Sequence, residues 1–171
     1  MGNTVSQLFP PKPRFTGKDV PDLQGKVYLV TGSNTGVGLE VATILYSKNA
    51  KVDIAARPRD KSLKAIEQIR RANPGPKGGL EYLYLDLADL SKIKASTAEF
   101  LARESRLDVL FNNAGVLLRQ NTELTRTAQG YESHLAINNV GTCLFTKLPT
   151  PKLAATANEE VPGTIRDGAR I

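Results

Sequence analysis

A single cysteine, Cys143, leaves no pair for an intrachain disulfide, which excludes a cross-linked secreted scaffold and fits a reducing compartment. Cys143 itself reads as a small core residue. No apolar run approaches the roughly 18 residues that a membrane-spanning helix needs, and the N-terminus shows no apolar leader segment. These absences predict a soluble, cytoplasmic protein. Aromatic residues make up 6% of the chain and do not interleave with its basic residues, and no basic recognition helix stands out. Nucleic-acid binding is therefore not expected, although 23 Lys+Arg against 17 Asp+Glu give a net charge of +6. That modest positive field suits a small anionic ligand. No metal-binding set is read from the sequence. One short pattern points to a membrane surface: Met1-Gly2-Asn3-Thr4-Val5-Ser6 fits the N-myristoylation motif. A single acyl chain anchors only marginally, and Lys12, Arg14 and Lys18 are a thin second signal, so any membrane association is expected to be weak.

What is present is organised as an arm, one domain and a tail. At 171 residues the chain is one domain's worth of sequence and can bury a core. Residues 1–22 carry Pro10, Pro11, Pro13 and Pro21 and predict an extended arm. The domain is expected over residues 23–153. Its first strand is Lys26–Val30 and its first helix has apolar spacing through Leu39–Tyr46. A second strand, Ala50–Arg57, ends at Pro58, and a second helix covers Ser62–Ile69. Leu80–Leu87 predicts a third strand, Ser91 an N-cap for a helix through about Arg103, and Leu107–Phe111 a fourth strand. A fourth helix is expected from about Ala128 to Lys147, stopped by Pro149 and Pro151, with residues 154–171 as an irregular tail. Short apolar strands alternating with helices predict an α/β fold, a Rossmann-like doubly wound parallel sheet.

The segment that joins the first strand to the first helix is Thr31-Gly32-Ser33-Asn34-Thr35-Gly36-Val37-Gly38. Glycines at a strand-to-helix turn let the backbone approach a phosphate, whose charge the helix N-terminus stabilises, so the expected ligand is a dinucleotide. The spacing is G-x-x-x-G-x-G after a threonine, and a second block, Leu110-Phe111-Asn112-Asn113-Ala114-Gly115, closes another apolar strand. Together these resemble the short-chain dehydrogenase/reductase family, from about Leu23 to about Leu153. An unrelated phosphate-binding α/β module would need the Asn112–Gly115 match, and that of Asn138 below, to be accidental. The second strand ends in Ala56-Arg57 with no carboxylate at its end, while Asp53 lies inside it with its side chain turned elsewhere. A basic residue there suits a 2′-phosphate, which favours NADP over NAD; Arg59 or Lys61 could do the same work, or Arg57 could simply face solvent. The resemblance implies that Asp86 meets the adenine edge, although it could equally cap the turn into the next helix. It further implies that Asn112, with Ala114 and Gly115 beside it, lies at the nicotinamide-side ribose. It also puts the Val37 backbone against the cofactor, with the Ser33 and Thr35 hydroxyls at the same turn and Gly32, Gly36 and Gly38 as its glycines.

Enzymes of this family transfer a hydride between a nicotinamide and an alcohol or carbonyl carbon. They use a Tyr proton donor one helical turn from a Lys, a polarising Ser, and an Asn in a water relay. Ile137-Asn138-Asn139-Val140-Gly141 resembles the element that carries the Asn, which assigns Asn138; the same residue could also satisfy a helix–sheet contact. The Tyr-x-x-x-Lys pair has no match. Four residues after Tyr28, Tyr46, Tyr82, Tyr84 and Tyr131 stand Gly32, Ala50, Asp86, Ala88 and Leu135. No fifth strand forms to carry the Ser, although residues 161–166 look like the approach to one. His134, the single histidine, reads as a packed or half-exposed residue rather than a base. The expectation is a sheet incomplete at its C-terminal side, from a truncated or altered-reading-frame form of a longer reductase. Two functional readings follow: an NADP-dependent oxidoreductase on an alcohol or carbonyl substrate, lacking most of its catalytic machinery here, and a catalytically inactive NADP-binding or interaction fragment. Self-association through the fourth helix or the open sheet edge is left open.

Overall fold

In the computed structural model, residues 12–117 and 124–160 are described. The N-myristoylation pattern at 1–6 and the run at 161–166 lie outside them. Strand β1, Val27–Thr31, is buried at every position, and β2, Lys51–Ala56, at all but its first. Continuous burial of this kind marks parallel strands covered on both faces. With β3, Leu80–Tyr84, and β4, Val109–Phe111, they form a four-stranded parallel sheet of order β3-β2-β1-β4. Helices α1, Gly36–Ser47, and α2, Arg59–Ala72, enclose Val30, Val52, Ile54, Ile66 and Ile69 on one face. Helix α3, Leu90–Arg103, closes the other face over Leu29, Leu83 and Leu110 with Ile93 and Phe100. Strand order reverses direction between β1 and β4, and the crevice beyond their carboxyl ends is where open α/β sheets bind ligands.

Several elements differ from the sequence expectation. The third strand stops at Tyr84 rather than Leu87, because β2 ends at Ala56 and Pro58 has no N–H to continue a ladder; Leu85 and Leu87 are buried all the same. The fourth strand begins at Val109, with Leu107 buried just before it. Asp89, not Ser91, is the N-cap of α3: its carboxylate accepts hydrogen bonds from the Ser91 N–H at 3.0 Å and hydroxyl at 2.7 Å. The fourth helical stretch starts at α4, Ser133–Leu135, rather than near Ala128, where Glu132 caps the His134 and Leu135 N–H groups. It then widens into a π-helix, Ala136–Gly141, and returns to α5, Thr142–Lys147.

The expected irregular tail is helical at its start. Helix α6 runs Thr150–Glu160, and Pro149 and Pro151 begin it rather than ending the structure. A proline near a helix start loses no intrahelical bond, and the Pro149 carbonyl accepts from the Lys152 and Leu153 N–H groups. Leu153 and Thr156 are buried under the sheet, so tertiary packing carries the segment. Cys143 is exposed, not a core residue. Phe145 holds the buried position, and two residues are about 200° around a helix. The described part of the arm, residues 12–22, lies on the domain: Val20 packs against the α1 side and the Lys48 ammonium donates to the Lys18 carbonyl.

Candidate functional site

Beyond the carboxyl ends of the strands a cleft opens between the loops after β1, β2, β3 and β4. Its walls include Gly32 and Asn34 from the first loop, Arg57 from the second, Asp86 from the third, and Ala114 and Gly115 from the fourth. Ile137, from the π-helix, closes one side. The floor is tied together by Thr31. Its hydroxyl accepts from the Asn113 and Ala114 N–H groups at 3.0 and 2.9 Å and donates to the Phe111 carbonyl at 3.2 Å, which uses every bonding direction it has. The Asn113 amide returns the contact by donating to the Thr31 carbonyl at 2.9 Å. Gly38 lets that amide in, since a Cβ there would lie 2.5 Å from Asn113 Nδ2 and 2.7 Å from the Gly32 carbonyl.

The first turn of α1 fits an anion. Thr35 stands at the N-cap with extended backbone yet makes no side-chain cap, and the turn carries no acidic residue. The turn's N–H donors therefore have no side-chain acceptor, the arrangement that receives phosphate. Gly36, at φ +59, leaves open space above it where a Cβ would meet nothing within 4 Å. Arg57 is exposed at the end of β2, and its guanidinium makes no hydrogen bond or ion pair among the described residues. Asp86 faces the cleft and also does what its alternative reading expected: its carboxylate accepts from the Ala88 N–H at 3.1 Å, with the Lys92 ammonium 3.7 Å away.

Other residues singled out in the sequence sit elsewhere. The Ser33 hydroxyl is fully buried and donates to the Val30 carbonyl at 2.7 Å, so it shapes the turn and does not face the cleft. Val37 stands in the first turn of α1 with its side chain 73% exposed, which leaves the expectation for its backbone untouched, and Lys61, exposed on α2, does not line the cleft. Asn112 turns away, donating its amide to the Thr146 hydroxyl at 2.9 Å. Asn138 grips the loop after β4 at two points: its carbonyl oxygen accepts from the Val116 N–H at 2.8 Å and its amide donates to the Val116 carbonyl at 2.9 Å. The contact runs from the π-helix to a loop, not to the sheet as the second of its two sequence readings had it. Thr31 and Asn113, which brace the floor, went unassigned in the sequence, where only their places before a glycine and after an asparagine marked them.

Asp53 points to the α3 face, away from the cleft, and is fully buried. Arg103 from α3 pairs with one of its oxygens, and Glu104 in turn pairs with Lys51 at 2.7 Å. Burial outweighs the attraction of Arg103 and pushes the Asp53 carboxyl up to about 7.

A parallel sheet of order β3-β2-β1-β4 with a glycine-walled cleft at its reversal point defines a Rossmann-type α/β domain. The comparisons agree. Residues 26–165 match the family model described as short chain dehydrogenase. The chain is 54% identical over 164 residues to a short-chain dehydrogenase/reductase of Phomopsis amygdali, covering 96% of this chain and 48% of that protein. It is 48% identical over 167 residues to one of Phaeosphaeria nodorum, covering 97% and 53%. Among solved structures, a metagenomic short-chain oxidoreductase in complex with NADP superposes with a TM-score of 0.67 at 31% identity, covering 79% of this chain and 60% of that one. A Pseudomonas aeruginosa RhlG/NADP active-site complex gives 0.68 at 26% identity, covering 82% and 53%. The chain belongs to the short-chain dehydrogenase/reductase family. It spans about half the length of the curated relatives it matches.

Proposed function

We propose that this chain forms the NADP(H)-binding half of a short-chain oxidoreductase acting on an alcohol or carbonyl substrate. The observation that carries the cofactor reading is Arg57. It stands at the end of β2 with no carboxylate next to it in the strand and no partner for its guanidinium among the described residues, at the mouth of the cleft where a ribose 2′-phosphate would lie. The uncapped first turn of α1 supplies donors for the pyrophosphate, and Asp86, between Leu85 and Leu87, offers an acceptor to an adenine edge. Two solved relatives named as NADP complexes, at 31% and 26% identity, support the same choice.

The proton-donating pair of the family's enzymes is not among these residues, since no tyrosine here has lysine four positions on. Hydride transfer is therefore proposed for the whole protein, and cofactor capture for this chain. Titration of the purified chain with NADPH and NADH, followed by intrinsic cofactor fluorescence, tests the reading. NADPH is expected to bind more tightly, and Arg57→Ala to weaken NADPH about tenfold or more while leaving NADH within about twofold, since a charge-assisted contact is lost with one cofactor only. Equal affinities in the wild-type chain would refute it.

A further inference from the structure

Arg57 belongs to two hollows at once. It lines the cleft, and it also lines a second hollow along the outer edge of β3 with Arg59, Arg70, Tyr82 and Tyr84. An exposed arginine whose guanidinium has no partner can swing between the two, and only one of the two orientations serves a 2′-phosphate. Two features of the chain restrict it. Pro58 follows directly and holds the Arg57 backbone to extended conformations by steric clash with the preceding residue. The second is Tyr82, which lies one strand away on β3, opposite Ile54, with its hydroxyl 3.1 Å from the Ala56 carbonyl and 3.4 Å from the Arg57 carbonyl. Up to Ala55 the strand is firmly held, the Ala55 carbonyl accepting from the Gly32 N–H at 2.8 Å, and beyond it the restraint thins. The Ala56 carbonyl takes one backbone bond, from the Leu85 N–H at 3.3 Å, and β3 pairs no further than Tyr84.

We infer that Tyr82 is a positioning residue for cofactor discrimination: its hydroxyl fixes the β2 terminus so that Arg57 is presented to the 2′-phosphate side of the cleft. This inference rests on the NADP reading above. NADPH and NADH differ only in the phosphate that Arg57 would meet, so a residue acting through Arg57 changes one affinity and spares the other. The Tyr82 phenol is raised above its ordinary value, chiefly by burial, so it keeps its donor proton at every pH where the protein would be assayed. Its side chain is half-buried against the α1–α2 face of the core, and replacing it by phenylalanine keeps that packing.

The test is a cycle on the full chain with NADPH and NADH as probes, comparing wild type, Tyr82→Phe, Arg57→Ala and the double variant, with a thermal melt of each. Tyr82→Phe is expected to weaken NADPH about three- to tenfold, the range one lost hydrogen bond gives, with NADH within about twofold. On the Arg57→Ala background it should weaken NADPH no further. Pro58→Ala, which releases the other restraint, should act in the same direction. Equal weakening of both cofactors, or a full second loss in the double variant, would show Tyr82 to be structural only and overturn the inference while leaving the cofactor reading intact. A wild-type chain that binds neither cofactor, or both alike, overturns both.

Discussion

At the centre of the sheet the Asp53 carboxyl gives one oxygen to Arg103 and keeps the other buried with no hydrogen-bond partner among the described residues. A carboxylate there lacks the water it would have in the unfolded chain, which is why it titrates near 7 rather than near its ordinary value of 3.8. Between those two values the native state binds more protons than the unfolded state, so this group's contribution to stability falls as pH rises through that window and is constant above it. Urea unfolding of wild type and Asp53→Asn at pH 5 and pH 7.5 checks the sign. The wild-type chain should lose more stability than the variant on going to the higher pH; parallel behaviour would show that Arg103 keeps the pair ionised throughout. The partners of Asp53 are 50 positions away in α3, and no local pattern in the sequence announces them.

Among the elements, α6 is held by directed contacts as well as by its apolar face: the Lys152 ammonium donates to the Ser105 carbonyl at 3.2 Å, and Thr156 makes the buried contact. The Thr156 hydroxyl accepts from the Leu107 N–H at 3.0 Å, in a buried spot just ahead of β4. Thr156→Val preserves the shape and strands that N–H, so the urea midpoint should drop by an amount equivalent to about 1–3 kcal/mol with an unchanged slope. An unaltered midpoint would mean that α6 contributes little to stability. The four strands and first three helices were legible because periodicity and punctuation decide them: β-branched runs, then helical spacing, then Gly or Pro. Helix α6 was not, because Pro149 and Pro151 read as a stop unless the buried Leu153 and Thr156 are already known. Nor was the π-helix, whose extra residue per turn leaves no compositional trace. In the cleft, Gly32 came from the glycine spacing, Arg57 from its place at the end of the second strand, and Asp86, Ala114 and Gly115 from the family resemblance, whereas Ser33 and Asn112 bond elsewhere and Lys61 does not line the cleft.

For the whole molecule, the cleft draws on four loops and the π-helix, so a ligand seated in it touches the loop that follows each strand of the sheet. Such a ligand binds the folded chain only. With NADPH at 100 times its Kd, linkage predicts a gain of about 2.7 kcal/mol, or roughly 5–10 °C in Tm for a chain of this size. Differential scanning fluorimetry over an NADPH series measures it; a Tm that does not move would mean that the folded chain does not take up the cofactor. The described strands leave β4 paired on one side, with β1, and the curated relatives are about twice as long as this chain.

The bonds that Thr31 and Asn113 exchange beneath the cleft involve only the chain's own atoms. The loops after β1 and β4 are therefore joined before anything enters between them. The entropy of arranging the phosphate-facing backbone is spent when the chain folds, and an incoming nucleotide gives up its own freedom without also having to organise its host.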